Sequence, residues 1–106
     1  MYASVRTYRC DPTQVDELLH IIDQEFVPKI RERPGLCAYQ AVDCGDGRLV
    51  TITCFRNREE AEGSAEIAAQ FVRDRLSDFE IERTDLMAGE LRVNLAEQEV
   101  LEPAHA

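Results

Sequence analysis

A chain of 106 residues with 44% hydrophobic residues is one domain's worth of sequence, long enough to close a core without a metal or disulfide staple. Twelve Lys and Arg against 21 Asp and Glu set a formal net charge of −9, which repels phosphate backbones and anionic lipid, so neither nucleic acid nor a membrane surface is expected as a partner. There is no apolar run of about 18 residues and Met1 to Arg6 carries no leader signature, so the expectation is a cytoplasmic protein. In that compartment Cys10, Cys37, Cys44 and Cys54 are expected as reduced thiols, and no pair has the C-x-x-C spacing of a zinc or redox site.

Tyr2 to Arg9 is rich in β-branched and aromatic types and short enough for a strand. Asp11-Pro12 with Gln14 three residues on reads as N-cap, first helical position and capping-box partner. The helix that follows places Val15, Leu18, Leu19, Ile22, Phe26 and Ile30 on one stripe, with acids near its start, bases near its end, and a kink expected at Pro28. Pro34-Gly35 stops it. Residues 36–43 and 48–55 then form a β-hairpin around Cys44-Gly45-Asp46-Gly47. Asn57 with Glu60 caps a second helix reaching about Leu76, whose inner stripe is read as Ala61, Ala65, Ala68, Val72 and Leu76. Residues 77–86 read as a polar connector, and Met87 to Ala96 alternates as a half-buried strand. Residues 1–96 are thus one domain, and 97–106 an acidic tail expected to be flexible. Residues 78–102 carry −6 of the total charge, so the acidity belongs to the end of the chain.

The order β-α-β-β-α-β is that of an α+β, ferredoxin-like sandwich with an antiparallel sheet and both helices on one face. Pairing across the hairpin turn sets Leu36, Ala38 and Val42 with Leu49 and Phe55, and Cys37, Tyr39 and Ala41 with Val50, Ile52 and Cys54. Both faces are apolar while helices cover one, so a homodimer packing sheet on sheet into a dimeric α/β barrel is expected.

These residues also carry a resemblance. The first strand, the Pro34-Gly35 turn into Leu36-Cys37-Ala38-Tyr39-Gln40, the strand Leu49 to Phe55 and the helix start Arg58-Glu59-Glu60-Ala61 resemble the antibiotic-biosynthesis-monooxygenase-like proteins of the dimeric α/β-barrel superfamily. The resemblance runs over nearly the whole chain up to Ala96. It implies a dimer of two sheets closing a barrel and a small-molecule pocket between helices and sheet. Members oxidise phenolic polyketides with oxygen and no cofactor, or degrade haem. This chain departs from the family at Phe55, where a Trp is frequent, and at Thr53, where a Glu is common. It also has Ser4 and Arg6 on the strand where catalytic relatives place an Asn. No His occurs between Arg58 and Leu76, so haem degradation through a helix-borne His ligand is not expected.

Several residues invite a chemical role. His20 falls about 130° from the apolar stripe of its helix and should face solvent. Tyr39 can donate a hydrogen bond to a phenolate or enolate, or fill the interface between sheets. Gln40, Thr51, Thr53 and Phe55, placed on one face by the pairing above, mix an amide and hydroxyls into an apolar wall, as a small-ligand pocket requires. Arg6 can anchor an anionic substrate or make a salt bridge. Cys37 and Cys54, near-opposite in that register, are read as buried small hydrophobes. Asp16, Glu17, Asp23 and Glu25 form a solvated helix face, and no convergent set implies a metal or cofactor. Three functional readings follow: a cofactor-free monooxygenase or isomerase of a small aromatic or enolisable compound, with catalytic residues unassigned; a non-catalytic ligand-binding or stress-associated dimeric module; and a purely structural partner of a neighbouring enzyme.

Overall fold

The computed structural model describes residues 1–97. β1 spans Tyr2–Arg9 as its residue types require. Asp11 then caps the next element, but through Thr13 rather than Gln14. Its carboxylate accepts from Thr13 N at 2.9 Å and from Thr13 Oγ1 at 2.8 Å. This short-range Asx turn competes with the capping box, and Pro12–Gln14 makes a 3-10 turn before α1, Val15–Ile21.

Leu18, Ile22, Phe26 and Ile30 recur every fourth residue, and each such step overshoots an α-helical turn by about 40°. The helix takes up this drift by widening into a π turn over Ile22–Phe26, after which α2 runs from Val27–Arg31. Pro28, which has no N–H for a carbonyl four residues back, sits just after the widened turn, where regular pairing is already broken. All four apolar residues are buried as a result.

β2 (Leu36–Gly45) and β3 (Arg48–Phe55) form the hairpin. Its two turn residues, Asp46 (φ 55°) and Gly47 (φ 78°), both take the positive φ that a type I′ connection demands. Asn57 caps α3, Arg58–Arg75, by accepting from Glu60 N at 2.8 Å. Within α3 the buried residues are Ser64 and Phe71, whereas Ala65 is exposed. The inward stripe is therefore turned from the alanine line toward Phe71, whose ring buries far more apolar area than a methyl group.

β4 is Glu82–Glu90, earlier than the alternation of residues 87–96 implies. The partner strand decides this: β1 pairs antiparallel with β4 from Arg9 opposite Glu82 to Tyr2 opposite Glu90, and just past Glu90 the Leu91 N donates to the carbonyl of Met1 at 2.9 Å. Val93 and Leu95 are 88% and 96% exposed despite their strand-like pattern. The polar start of β4 is tolerated because it is an edge strand with every residue exposed. The connector before it is not featureless either, since Ser77–Phe79 forms a 3-10 turn that buries Phe79. Of the acidic tail expected over 97–106, residues 98–106 lie outside the described residues.

The four strands run in the order β2-β3-β1-β4, all neighbours antiparallel, with the helices packed on one face: an α+β ferredoxin-like sandwich. Pairing of β1 with β3 sets Ser4, Arg6 and Tyr8 opposite Thr53, Thr51 and Leu49. In the hairpin the expected faces of β2 are exchanged. A bulge between Leu36 and Ala38 inserts one extra residue, after which Tyr39 opposes Thr53 and Ala41 opposes Thr51, while Ala38, Gln40 and Val42 oppose Cys54, Ile52 and Val50. Because side chains alternate with period two, a one-residue slip moves every later side chain to the other face. Both faces remain apolar. The helix-covered face holds the core around Leu18, Phe55 and Leu76, and the other presents Val5, Val50, Ile52 and Met87, the last 60% exposed.

Candidate functional site

A cleft opens between the helices and the covered face of the sheet. Its floor is laid by alternate residues of three strands: Ser4, Arg6 and Tyr8 of β1, Tyr39 and Ala41 of β2, and Leu49, Thr51, Thr53 and Phe55 of β3. Phe26 closes it from the π turn, and Ser64, Ala68 and Phe71 from α3. The exposed lining residues Ala41 and Ala65 mark its mouth. The cavity measures about 50 Å³, room for a few water molecules.

The aromatic wall is one connected unit. Phe26 meets Phe71 with ring centroids 5.1 Å apart and Tyr39 with centroids 5.3 Å apart. These contacts join the π turn to α3 above and to β2 below. Arg75 forks onto Glu25 at 2.6 and 2.7 Å, and Arg33 Nε reaches Ser64 Oγ at 3.3 Å, so α3 is tied to the π turn and to the turn before β2 as well.

Set into this apolar frame are polar groups with no hydrogen-bond partner among the described residues. Thr51 and Thr53 are buried, yet their hydroxyls have no hydrogen-bond partner among the described residues, and neither does the Tyr39 hydroxyl. Burial pushes the Tyr39 phenol well above its ordinary range, Tyr8 adds to the effect, and the Arg6 guanidinium takes part of it back. Tyr39 is thus held neutral as a donor. Arg6 itself makes one long contact, 3.4 Å to Ser4 Oγ, and no salt bridge among the described residues includes it.

Of the residues singled out in the sequence, Arg6, Tyr39, Thr51, Thr53 and Phe55 converge on this cleft. Gln40 does not. The bulge turns it to the opposite face, against Ile52, where it is exposed. Tyr39 moves the other way, from the expected interface between sheets to the helix side. Ser4, Tyr8, Ser64, Phe26 and Phe71 complete the lining. The alternation along β1 holds the signal for Ser4 and Tyr8, and the seven-residue step from Ser64 to Phe71 holds that for α3. His20 is exposed as expected. Cys54 is buried, its thiol pushed up first by burial and then by the neighbouring Cys37, but Cys37 itself is exposed because it sits in the bulge. Among the described residues no group of three or more His, Cys, Asp or Glu converges in a way that could hold a metal ion. None of the helices among them is long and apolar enough to cross a membrane.

Comparison with known proteins places this geometry. No family model matches the sequence, and no curated protein matches it. Solved structures do match. A protein from Deinococcus radiodurans assigned as an antibiotic biosynthesis monooxygenase superposes with a TM-score of 0.71 at 15% identity, over 92% of this chain and 99% of that one. The fold is that of the antibiotic biosynthesis monooxygenases. A monooxygenase from Streptomyces coelicolor, solved in complex with nanaomycin D, matches with a TM-score of 0.67 at 18% identity over 92% of both chains. A dimeric ferredoxin-like protein from an uncultured marine organism gives 0.72 at 11% identity, covering 91% of this chain and 98% of its own. Each superposition takes in 91% or 92% of this chain, so the cleft described above lies within the shared fold.

Proposed function

We propose that this chain forms a homodimeric barrel and binds a small aromatic or enolisable compound in the cleft, acting on it as a cofactor-independent monooxygenase or isomerase. The observation that carries this reading is the joining of a three-ring wall, Phe26, Phe71 and Tyr39, to hydroxyls of Tyr39, Thr51 and Thr53 that no side chain or backbone group satisfies among the described residues. Flat apolar walls hold a ring, and a few unpartnered donors orient its oxygens. In a site screened from water such donors act strongly on charge that develops during reaction. The nanaomycin D complex of the Streptomyces coelicolor monooxygenase supports a ligand of this class. A ring is larger than the present cavity, so its entry requires the mouth between Ala41 and Ala65 to widen. In the oxygenase reading a substrate methylene becomes a carbonyl: one atom of dioxygen stays in the product, and the other leaves as water with the two hydrogens.

Dimerisation follows from the uncovered sheet face around Val5, Val50, Ile52 and Met87, which a second copy would bury. The dimeric ferredoxin-like neighbour supports the same assembly. Sedimentation should give a dimer, and Ile52→Lys should give a folded monomer.

Oxygen uptake and binding across a panel of phenols and quinols test the activity. Turnover that falls tenfold or more in both Tyr39→Phe and Thr53→Val supports an enzyme. Binding without uptake supports the second reading, a non-catalytic ligand-binding module. That reading is favoured by one feature: among the described residues the cleft lining contains no Asp, Glu or His to act as a base.

A further inference from the structure

The cleft is unbalanced in its polar chemistry. Its lining holds the Arg6 guanidinium, the phenols Tyr8 and Tyr39, and the hydroxyls of Ser4, Thr51, Thr53 and Ser64, without a carboxylate or imidazole among them. A guanidinium has five N–H donors and no acceptor, and it is charged at every working pH. At the protein surface such a group is simply solvated, but in an apolar cleft its charge is costly unless something answers it. Arg6 is half-buried, and its contact with Ser4 Oγ at 3.4 Å is to a neutral oxygen. Across the sheet it faces Thr51 on β3 and Leu86 on β4, neither of which can neutralise it. The acids of β4 do not reach it, since Asp85 stands opposite Thr7 on the other face of β1.

From this we infer that the cleft selects its ligand as an oxyanion, a phenolate, enolate or carboxylate ionised before it binds, and rejects the neutral form of the same molecule. Two features lead there. A guanidinium with no carboxylate partner among the described residues, and donors of Tyr39, Thr51 and Thr53 likewise unpartnered among them, call for an acceptor oxygen with negative charge. No lining group can take a proton, so ionisation has to precede entry. The groups that face Arg6 are Tyr8 on its own strand, Tyr39 on β2, Thr51 on β3 and Leu86 on β4, and α3 adds only Ser64 and apolar residues to the lining. Burial keeps Tyr39 neutral, and none of these groups is a carboxylate. The inference rests on the cleft being the ligand site, and it adds the charge state and the residue that reads it.

The test uses the intact protein with 4-nitrophenol, which titrates near neutrality, and its methyl ether 4-nitroanisole, which has no acidic proton. Affinity for total nitrophenol should rise about tenfold per pH unit while the phenol is mostly protonated and level off once it is ionised. Nitroanisole should bind at least tenfold more weakly than the phenolate, with no pH dependence. Arg6→Met, which keeps an unbranched apolar stem, should lose tenfold or more for the phenolate and nothing for the ether, and its circular dichroism should match the parent. Arg6→Lys, which restores a positive charge, should recover part of the phenolate affinity. Equal affinity for phenol and ether, or a pH-independent preference, would overturn the oxyanion selection and leave the cleft as an apolar ligand site. Binding of neither compound would overturn the cleft reading itself.

Discussion

The ring of Phe26 meets that of Tyr39 edge-on, their planes inclined at 62°. The same Phe26 meets Phe71, with centroids 5.1 Å apart, so one residue of the π turn joins β2 to α3. The ring of Tyr39 is packed, whereas its hydroxyl has no hydrogen-bond partner among the described residues. The two ends of this contact should therefore behave differently under mutation. Phe26→Ala should cost about 3–5 kcal/mol in stability, as large-to-small core changes do. Tyr39→Phe should cost less than about 1 kcal/mol, because no intramolecular bond is lost. Chemical denaturation of both variants, with unchanged m-values, checks the contrast.

Two glycines of the hairpin turn separate backbone conformation from crowding. Gly45 has φ +86° with nothing within 4 Å of where a Cβ would sit, whereas Gly47 has φ +78° and a Cβ there would lie 2.1 Å from the Cys10 carbonyl oxygen. Gly45→Ala should lose about 1–2 kcal/mol, the cost of holding an L-residue in the left-handed region. Gly47→Ala should lose clearly more. The added clash is with backbone, and relieving it pulls on the hydrogen bond from Cys10 N to the Gly47 carbonyl, 2.8 Å long. Denaturation midpoints of the two single variants, measured side by side, decide whether the difference exists.

Much of the fold is legible in the sequence because its signals are local. The spacing of Leu18, Ile22, Phe26 and Ile30, the Asn57 to Glu60 cap and the Asp46-Gly47 turn each depend on a few neighbouring residues. What the sequence conceals depends on partners distant along the chain. The bulge at Cys37 has no marker in composition, yet it moves Tyr39 into the cleft and Gln40 out of it. The end of β4 is set by where β1 begins, so the alternation through Val93 and Leu95 promises a strand that pairs with no neighbour among the described residues. In α3 the string of alanines competes with Phe71, and bulk decides which face turns inward. The cleft is legible in part for the same reasons: Arg6, Thr51 and Thr53 follow from strand alternation alone, and the joining of Tyr39 to Phe26 does not.

The four thiols should react in an order set by exposure and surrounding charge. Cys44 is exposed at the hairpin, while Cys10 is buried, its thiol pushed up first by burial and then by the carboxylates of Asp11 and Asp43. A raised thiol pKa means less thiolate at neutral pH, and the thiolate is the species that attacks. Limited iodoacetamide treatment of the native protein should therefore modify Cys44 well before Cys10. Peptide mass spectrometry gives the order, and full denaturation should abolish it.

The fork of Arg75 onto Glu25 supplies a pH dependence whose sign can be worked out. Hydrogen bonds from the guanidinium hold the Glu25 carboxyl below its ordinary range, with the charges of Arg75 and Lys29 acting in the same direction. A carboxyl depressed by folding stabilises the native state at pH values above its unfolded pKa, and this contribution is lost as pH falls through the folded value. Both side chains are substantially exposed, at 48% and 39%, so solvent and salt screen the pair and the effect should be small. The parent protein should melt slightly above Arg75→Ala at neutral pH and low salt. The gap should close as the solution is acidified, and it should narrow in high salt at neutral pH. Melting temperatures of the two proteins across pH and salt test this. A gap that persists unchanged into acid would mean that Arg75 acts through the packing of its stem on the π turn rather than through Glu25.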